Sequence, residues 1–100
     1  MITSINNCYI VFDICEGGDL ETLLKKKGVF SEEETMKIVY DLYKGLLYLS
    51  EIAIVHRDLK IANVFIGKDN ETKIADFGFA TRGKSYFKDI SIGSPIYMSP

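Results

Sequence analysis

The sequence predicts an α+β fold, and three observations carry that prediction. Residues 8–14, CYIVFDI, are aromatic and β-branched, the composition of a buried strand. The stretch that follows Ser31 places Met36, Val39, Leu42, Tyr43, Leu46, Leu47 and Leu49 along one face of a 3.6-residue period. Two further β-type runs, Val64–Ile66 and Thr72–Ile74, flank the turn-forming residues GKDNE and read as a hairpin.

Each element has its own boundary signals. Gly17 and Gly18 break the first strand, and Asp19 then caps a short helix that runs through Lys27 and ends at Gly28. Residues 31–34, SEEE, form a capping box, with serine at the start, glutamate three residues on and negative charge in the first turn. The helix they open is long enough for about five turns. Gly45 weakens it slightly and marks a place where another backbone comes close. A short apolar run at 52–55 leads into the polar loop of IVHRDLKIANVFIG, residues 54–67. After Gly78 the chain is serine- and glycine-rich to Pro100, which reads as a long loop of the functional or mobile kind. No internal repeat is present.

Composition narrows the function classes. The 100 residues are 47% hydrophobic with a net charge of −2, and no basic stripe suggests nucleic acid. The one cationic run, residues 25–27, suits a solvated helix end. No apolar run approaches the roughly 18 residues of a membrane span, and no signal-peptide pattern opens the chain. Cys8 and Cys15 are too few for a disulfide framework. They read as reduced, buried thiols of a cytosolic or nuclear protein, and a cytoplasmic location is the expectation.

The hairpin supplies the geometry of a site. If Ile66 pairs with Thr72 and Val64 with Ile74, Asn63 falls opposite Ala75, beside Asp76. Opposed residues of an antiparallel pair sit about 5 Å apart, so Asn63 and Asp76 emerge together at the open end. One amide oxygen and one carboxylate suit Mg²⁺, which keeps several waters and completes its shell with substrate phosphates. Asp58 lies in the loop leading into the hairpin and reaches the same place. Lys60 adds a point charge suited to a transferring phosphoryl group.

These residues also carry a resemblance. HRDLKIAN at 56–63, followed by DFG at 76–78, resembles the catalytic and metal-binding loops of protein kinases. Every fixed position of H-R-D-L-x-x-x-N is matched, and the 18-residue step from Asp58 to Asp76 fits the family. YIVFDICEGGDL at 9–20 resembles the last small-lobe strand, the hinge and the start of the first large-lobe helix. GSPIYMSP at 93–100 resembles the segment G-T/S-P-x-Y-M-A-P. The resemblance covers essentially the whole chain and implies a partial bilobal kinase fold. Residues 1–18 would be the last small-lobe strand and hinge, and residues 19–100 a partial large lobe. The implied activity is transfer of phosphoryl from ATP, with Mg²⁺, to a serine or threonine hydroxyl of a protein substrate, under possible control by regulatory partner proteins. ADFGFA with GSPIYM is similar to the autophagy-initiating serine/threonine kinases, although NIMA-related and polo-like kinases share several of these residues.

The resemblance also implies roles. Asp58 accepts the proton of the substrate hydroxyl, and Asn63 and Asp76 hold Mg²⁺ against the ATP phosphates. Lys60 contacts the transferred phosphate and points to a serine/threonine enzyme; the alternative is a solvated lysine. His56 packs under Phe77 and holds the loop through a ring nitrogen, a reading preferred to acid–base catalysis. Arg57 either receives a phosphorylated activation loop or forms a structural ion pair. Adenine is read by the Asp13 carbonyl and the Cys15 N–H, with Phe12 as gatekeeper. Asp19 bonds a ribose hydroxyl or simply caps its helix. Phe65 takes the adenine-floor position, where leucine is usual, or packs in the strand core. Ile61 replaces a common proline. Ile90 stands where a phosphorylated threonine is frequent, with Ser85 and Ser91 as the nearest substitutes, and Ser94 matches the residue that touches the catalytic aspartate and lysine.

Parts of the family pattern do not occur in these residues. No G-x-G-x-x-G and no V-A-I-K is present. The expectation is therefore a strand at 9–14 without its sheet and a long helix short of packing partners. The piece alone should be poorly stable and inactive. The alternatives are a regulatory binding module without turnover and an incomplete gene model.

Overall fold

Helix signals placed close together in the sequence are satisfied close together in space. In the computed structural model, which describes residues 1–83, helix α1 (Leu20–Lys27) starts at Asp19, whose carboxylate accepts the Thr22 N–H at 2.9 Å. That bond is the main reason the Asp19 carboxyl is held below its ordinary pKa. Gly28 ends α1 at φ 85°, in the left-handed region that glycine adopts without a Cβ penalty, and its N–H bonds Leu24 O. Helix α2 (Glu32–Glu51) opens on the expected capping box. Glu34 N–H donates to Ser31 Oγ, and Ser31 N–H donates back to the Glu34 carboxylate. Lys27 also pairs with Glu34, which depresses the Glu34 pKa further than the box alone. Among the described residues no helix is long and apolar enough to cross a membrane.

The strands are short. β1 (Ile2–Thr3) and β2 (Cys8–Tyr9) form a small hairpin, with Ile2 opposite Tyr9. The buried strand expected over 8–14 is corrected here. Strand structure ends at Tyr9, Phe12 is 80% exposed, and Cys8 is exposed while Cys15 is half-buried. No neighbouring strand of the described residues lies beside 10–14, so this run has neither ladder bonds nor a surface to cover. The strand expected over 9–14 is therefore not formed beyond Tyr9.

A three-stranded antiparallel sheet holds the centre, ordered β3 (Gly18–Asp19), then β5 (Val64–Ile66), then β6 (Thr72–Ile74). The β5–β6 register is the one the sequence predicts, Val64 opposite Ile74 and Ile66 opposite Thr72. β3 is an addition, because Gly17 and Gly18 read only as a strand break. Gly17 passes so close to β5 that a Cβ there would sit 2.6 Å from Ile66 Cβ, and its N–H bonds Ile66 O. Leu20, Val64 and Ile66 form the core, with Leu23, Phe30, Ile38, Leu42 and Ile61 packed against it.

α2 lies along β6, and its buried side differs from the predicted stripe. Leu49 is buried and Ile38 and Leu42 half-buried, whereas Met36, Val39, Tyr43, Leu46 and Leu47 are exposed. The sheet covers one narrow side of the helix and leaves the rest of the apolar stripe uncovered. Gly45 admits the Ile74 side chain, 3.1 Å from where its Cβ would be, so the close approach is to a side chain and not to a backbone. Asp41, one turn away, accepts the Thr72 N–H at 3.1 Å and closes an edge-strand donor that no strand of the described residues pairs.

One more pairing was not foreseen. β4 (Ile54–Val55) pairs with β7 (Thr81–Arg82), Ile54 opposite Arg82, inside what reads in sequence as a loop after Gly78. The expectations for Ser85, Ile90, Ser91, Ser94 and residues 93–100 lie outside the described residues.

Candidate functional site

The polar loop is built from the hairpin outward. A short 3₁₀ turn, Ile61–Asn63, feeds directly into β5, and Ala75 N–H donates to Asn63 O at 2.8 Å, extending the ladder by one step. Asn63 is thereby fixed at the mouth of the hairpin and is 7% exposed. Its amide N–H group donates to the Asp58 carbonyl at 2.9 Å and to Asp58 Oδ2 at 3.2 Å. Both bonds use the amide nitrogen, so the amide oxygen is turned away from Asp58. Asp58 is itself buried, and Lys60 Nζ stands 3.8 Å from the same Oδ2.

His56 ties the loop to the hairpin. Its Nε2 meets Ala75 O at 2.8 Å, and its Nδ1 accepts the Asp58 N–H at 3.2 Å. A carbonyl on one nitrogen and an N–H on the other assign the proton to Nε2. The ring meets Phe77 edge-on, with centroids 4.9 Å apart. With both nitrogens occupied, His56 braces the loop against the hairpin.

In the two loops that carry Asp58 and Asp76, Arg57 at φ 69° and Asp76 at φ 60° hold left-handed backbone. Such conformations cost energy and persist where surrounding contacts enforce them. Arg57 Nε donates to Phe79 O at 2.6 Å, and Gly78 N–H donates to Asp76 Oδ1 at 3.3 Å. The β4–β7 pairing closes the same loop pair from its far end. Asp76 is exposed, in contrast to Asp58 and Asn63.

A cleft of about 870 Å³ lies between the 10–15 segment and the hairpin. Asp13, Cys15, Phe65 and Asp76 line it together, and so do Phe12 and Phe77. Phe65 therefore faces the cleft and not the core cluster. Asp58, Lys60 and Asn63 belong to the neighbouring loop and do not line this cleft. Asp19 does not line it either; both its carboxylate oxygens are engaged by Thr22, which is the capping alternative. Among the described residues no group of three or more His, Cys, Asp or Glu side chains could hold a metal alone. The Asn63 amide oxygen and the Asp76 carboxylate are hard oxygen donors, too few for a closed cage. They fit a cation that takes its other ligands from water and phosphate.

Two participants went unread in the sequence. Lys73 lines the cleft and pairs with Asp13 at 3.4 Å and Glu71 at 3.8 Å. The Asp13 hydrogen bond, then the Glu71 charge, holds the Lys73 pKa above its ordinary value. Its position opposite Phe65 in the register could have revealed it, since opposed residues share a face. Asp41 is the other, hidden within the helical stripe as one more surface acid.

Comparison with known proteins adds an independent finding. The sequence model of the family described as protein kinase domain matches residues 1–100. The chain is 41% identical over 104 residues to serine/threonine-protein kinase 33 of Bos taurus, covering 92% of the chain and 21% of that protein. It is 39% identical over 101 residues to serine/threonine-protein kinase PLK4 of Nematostella vectensis, covering 95% of the chain and 10% of that protein. A third relative, serine/threonine-protein kinase plk-2 of Caenorhabditis elegans, is 36% identical over 96 residues, which is 95% of the chain and 15% of that protein. The chain thus spans about a tenth to a fifth of the length of these relatives. The narrower likeness to autophagy-initiating kinases gains no support from them.

Proposed function

The chain belongs to the protein kinase domain family, and on that premise we propose that it forms the hinge and catalytic-loop part of a domain that phosphorylates serine or threonine hydroxyls of proteins from ATP with Mg²⁺. The observation that carries this reading is the Asn63 amide held on Asp58 at the mouth of the hairpin, whose ladder runs to Ala75, next to Asp76 in sequence.

Each side chain then has a task its surroundings support. Asp58 accepts the hydroxyl proton and orients the oxygen for in-line attack, steadied by Asn63 and by its own N–H on His56. Lys60, beside the same carboxylate oxygen, offers positive charge to the transferring group. Asn63 and Asp76 hold the cation through oxygen atoms. When bound, Mg²⁺ supplies charge neutralisation of the phosphates. The cleft wall of Asp13, Cys15 and Phe65 receives the adenine ring, with residues 1–18 as strand and hinge and residues 19–100 as large lobe.

The test uses the 100-residue chain and a longer protein in which these residues sit within a complete kinase domain. The chain alone is expected to give no peptide phosphorylation above background, because it contains neither a glycine-rich loop nor an ATP-pairing lysine. In the longer protein, Asp58→Asn should lower transfer to a serine peptide by about 10²–10⁴-fold, the range of a lost acid–base group, with the Mg-ATP thermal shift retained. Full activity in Asp58→Asn would overturn the reading. Nucleotide binding without any turnover in the unmutated longer protein would point instead to a regulatory binding module.

A further inference from the structure

Residues 10–16 form one wall of the cleft yet have no strand partner among the described residues. Their downstream anchor is Gly17, whose N–H bonds Ile66 O at 2.9 Å. Upstream of it, the side-chain polar contact that joins the segment to the rest of the described residues is Asp13 Oδ2 to Lys73 Nζ, at 3.4 Å. Lys73 stands on β6, in the opposite wall. Apart from this pair, exposed apolar side chains such as Phe12 and Ile14 give the segment little to press against.

We infer that the Asp13–Lys73 ion pair is a clasp: it holds the 10–16 segment against β6 and so sets the width of the cleft between them. Lys73 is on this view a positioning residue, acting on whatever occupies the cleft through the wall it fixes. Its part in nucleotide binding rests on the kinase reading above; the clasp itself does not. Glu71, 3.8 Å from Lys73 Nζ and on the same side of the hairpin, gives the ammonium a second partner when Asp13 leaves. Opening therefore does not strand an unpaired charge, and the clasp is reversible. Both side chains are accessible, 37% for Lys73 and 87% for Asp13. The pair is accordingly of the exposed kind, able to shift an open–closed balance by about two- to fivefold.

Cys15, half-buried two residues beyond Asp13, reports the opening. The experiment measures its alkylation rate in the 100-residue chain carrying Cys8→Ser. Lys73→Met and Asp13→Asn should each raise the rate by about two- to fivefold. The double exchange Asp13→Lys with Lys73→Asp should return it toward the starting value. A purely electrostatic effect on the thiol would send the two single variants in opposite directions, since one removes a cation and the other an anion. That result, or no change in either, would overturn the clasp. Asp13→Asn alters an exposed side chain, so misfolding does not confuse the outcome. Binding of a fluorescent ATP analogue is followed in parallel. Absence of binding already in the unmutated chain, with the alkylation pattern intact, would count against the nucleotide role of the cleft and leave the clasp standing. Binding weakened in the single variants and recovered in the double exchange would support both.

Discussion

The β5–β6 hairpin and the 10–16 segment are written in the same alphabet and meet different fates. Val64 is 2% exposed and Phe12 80%, though both lie in short β-branched and aromatic runs. The hairpin has β3 on one side, α2 on the other and an Asp41 carboxylate on its edge. Among the described residues the segment has one ion pair, with one backbone anchor just beyond it at Gly17. Apolar pattern alone is therefore a request for burial, and a partner decides whether it is met.

Core truncation gives the largest expected contrast. Leu20→Ala and Val64→Ala should each cost about 2–4 kcal/mol, the range for emptying a packed site. Phe12→Ala and Ile14→Ala should stay within about 0.5 kcal/mol, as exposed substitutions do. Urea titration of the helical signal measures all four. A Phe12 variant as costly as Val64→Ala would break the contrast between the two regions.

The seam between them comes next. At Gly17 a Cβ would press against Ile66 Cβ at 2.6 Å. Gly17→Ala should therefore cost about 1–3 kcal/mol, as overpacking does. A neutral Gly17→Ala in the same titration would mean that the segment is not held to β5 at this point.

The contrast also explains what was legible in the sequence. Caps and turns are local statements, so Asp19, Gly28, Ser31 with Glu34, and the hairpin register could all be read and were all found. The meeting of Asp58 with Asn63 followed from spacing, because a loop and the hairpin it enters have little room to diverge, whereas the place of His56 came from the family resemblance. Long-range choices could not be read that way. Which side of α2 would be covered depends on β6, about thirty residues away in sequence, and the strand pairing of Thr81–Arg82 depends on β4. Lys73 and Asp41 look like ordinary surface charges until the fold brings Asp13 and Thr72 to them.

Acid provides a smaller test of the hairpin's edge. The Asp41 carboxyl is held below its ordinary value of 3.8, first by the Lys37 hydrogen bond and then by the Thr72 N–H and the nearby lysine charges. A carboxyl depressed on folding adds stability that is fully present above its unfolded pKa and is lost as pH falls through the folded one. Wild type should thus exceed Asp41→Asn in urea midpoint at pH 5, and the gap should close as pH drops below 3.8 toward the lower folded value. A gap unchanged across that window would show that Asp41 does not hold β6 as a carboxylate.

The smallest expected effect separates local from long-range order most directly. The capping box of α2 is completed within residues 31–34, and its further partner, Lys27, lies only a few residues upstream. Ser31→Ala removes the acceptor for Glu34 N–H and should cost about 1 kcal/mol, typical of a lost N-cap. Because the box is local, the loss of helix stability should be similar in the whole chain and in a peptide covering residues 26–52, which keeps Lys27, read by circular dichroism. Leu49→Ala should behave in the opposite manner, costing the whole chain and sparing the peptide, since Leu49 is buried only when α2 meets the rest of the fold. If Ser31→Ala instead damaged the chain far more than the peptide, the cap would be acting through tertiary contacts. The division between what residues settle among themselves and what they need partners for would then fail at its simplest case.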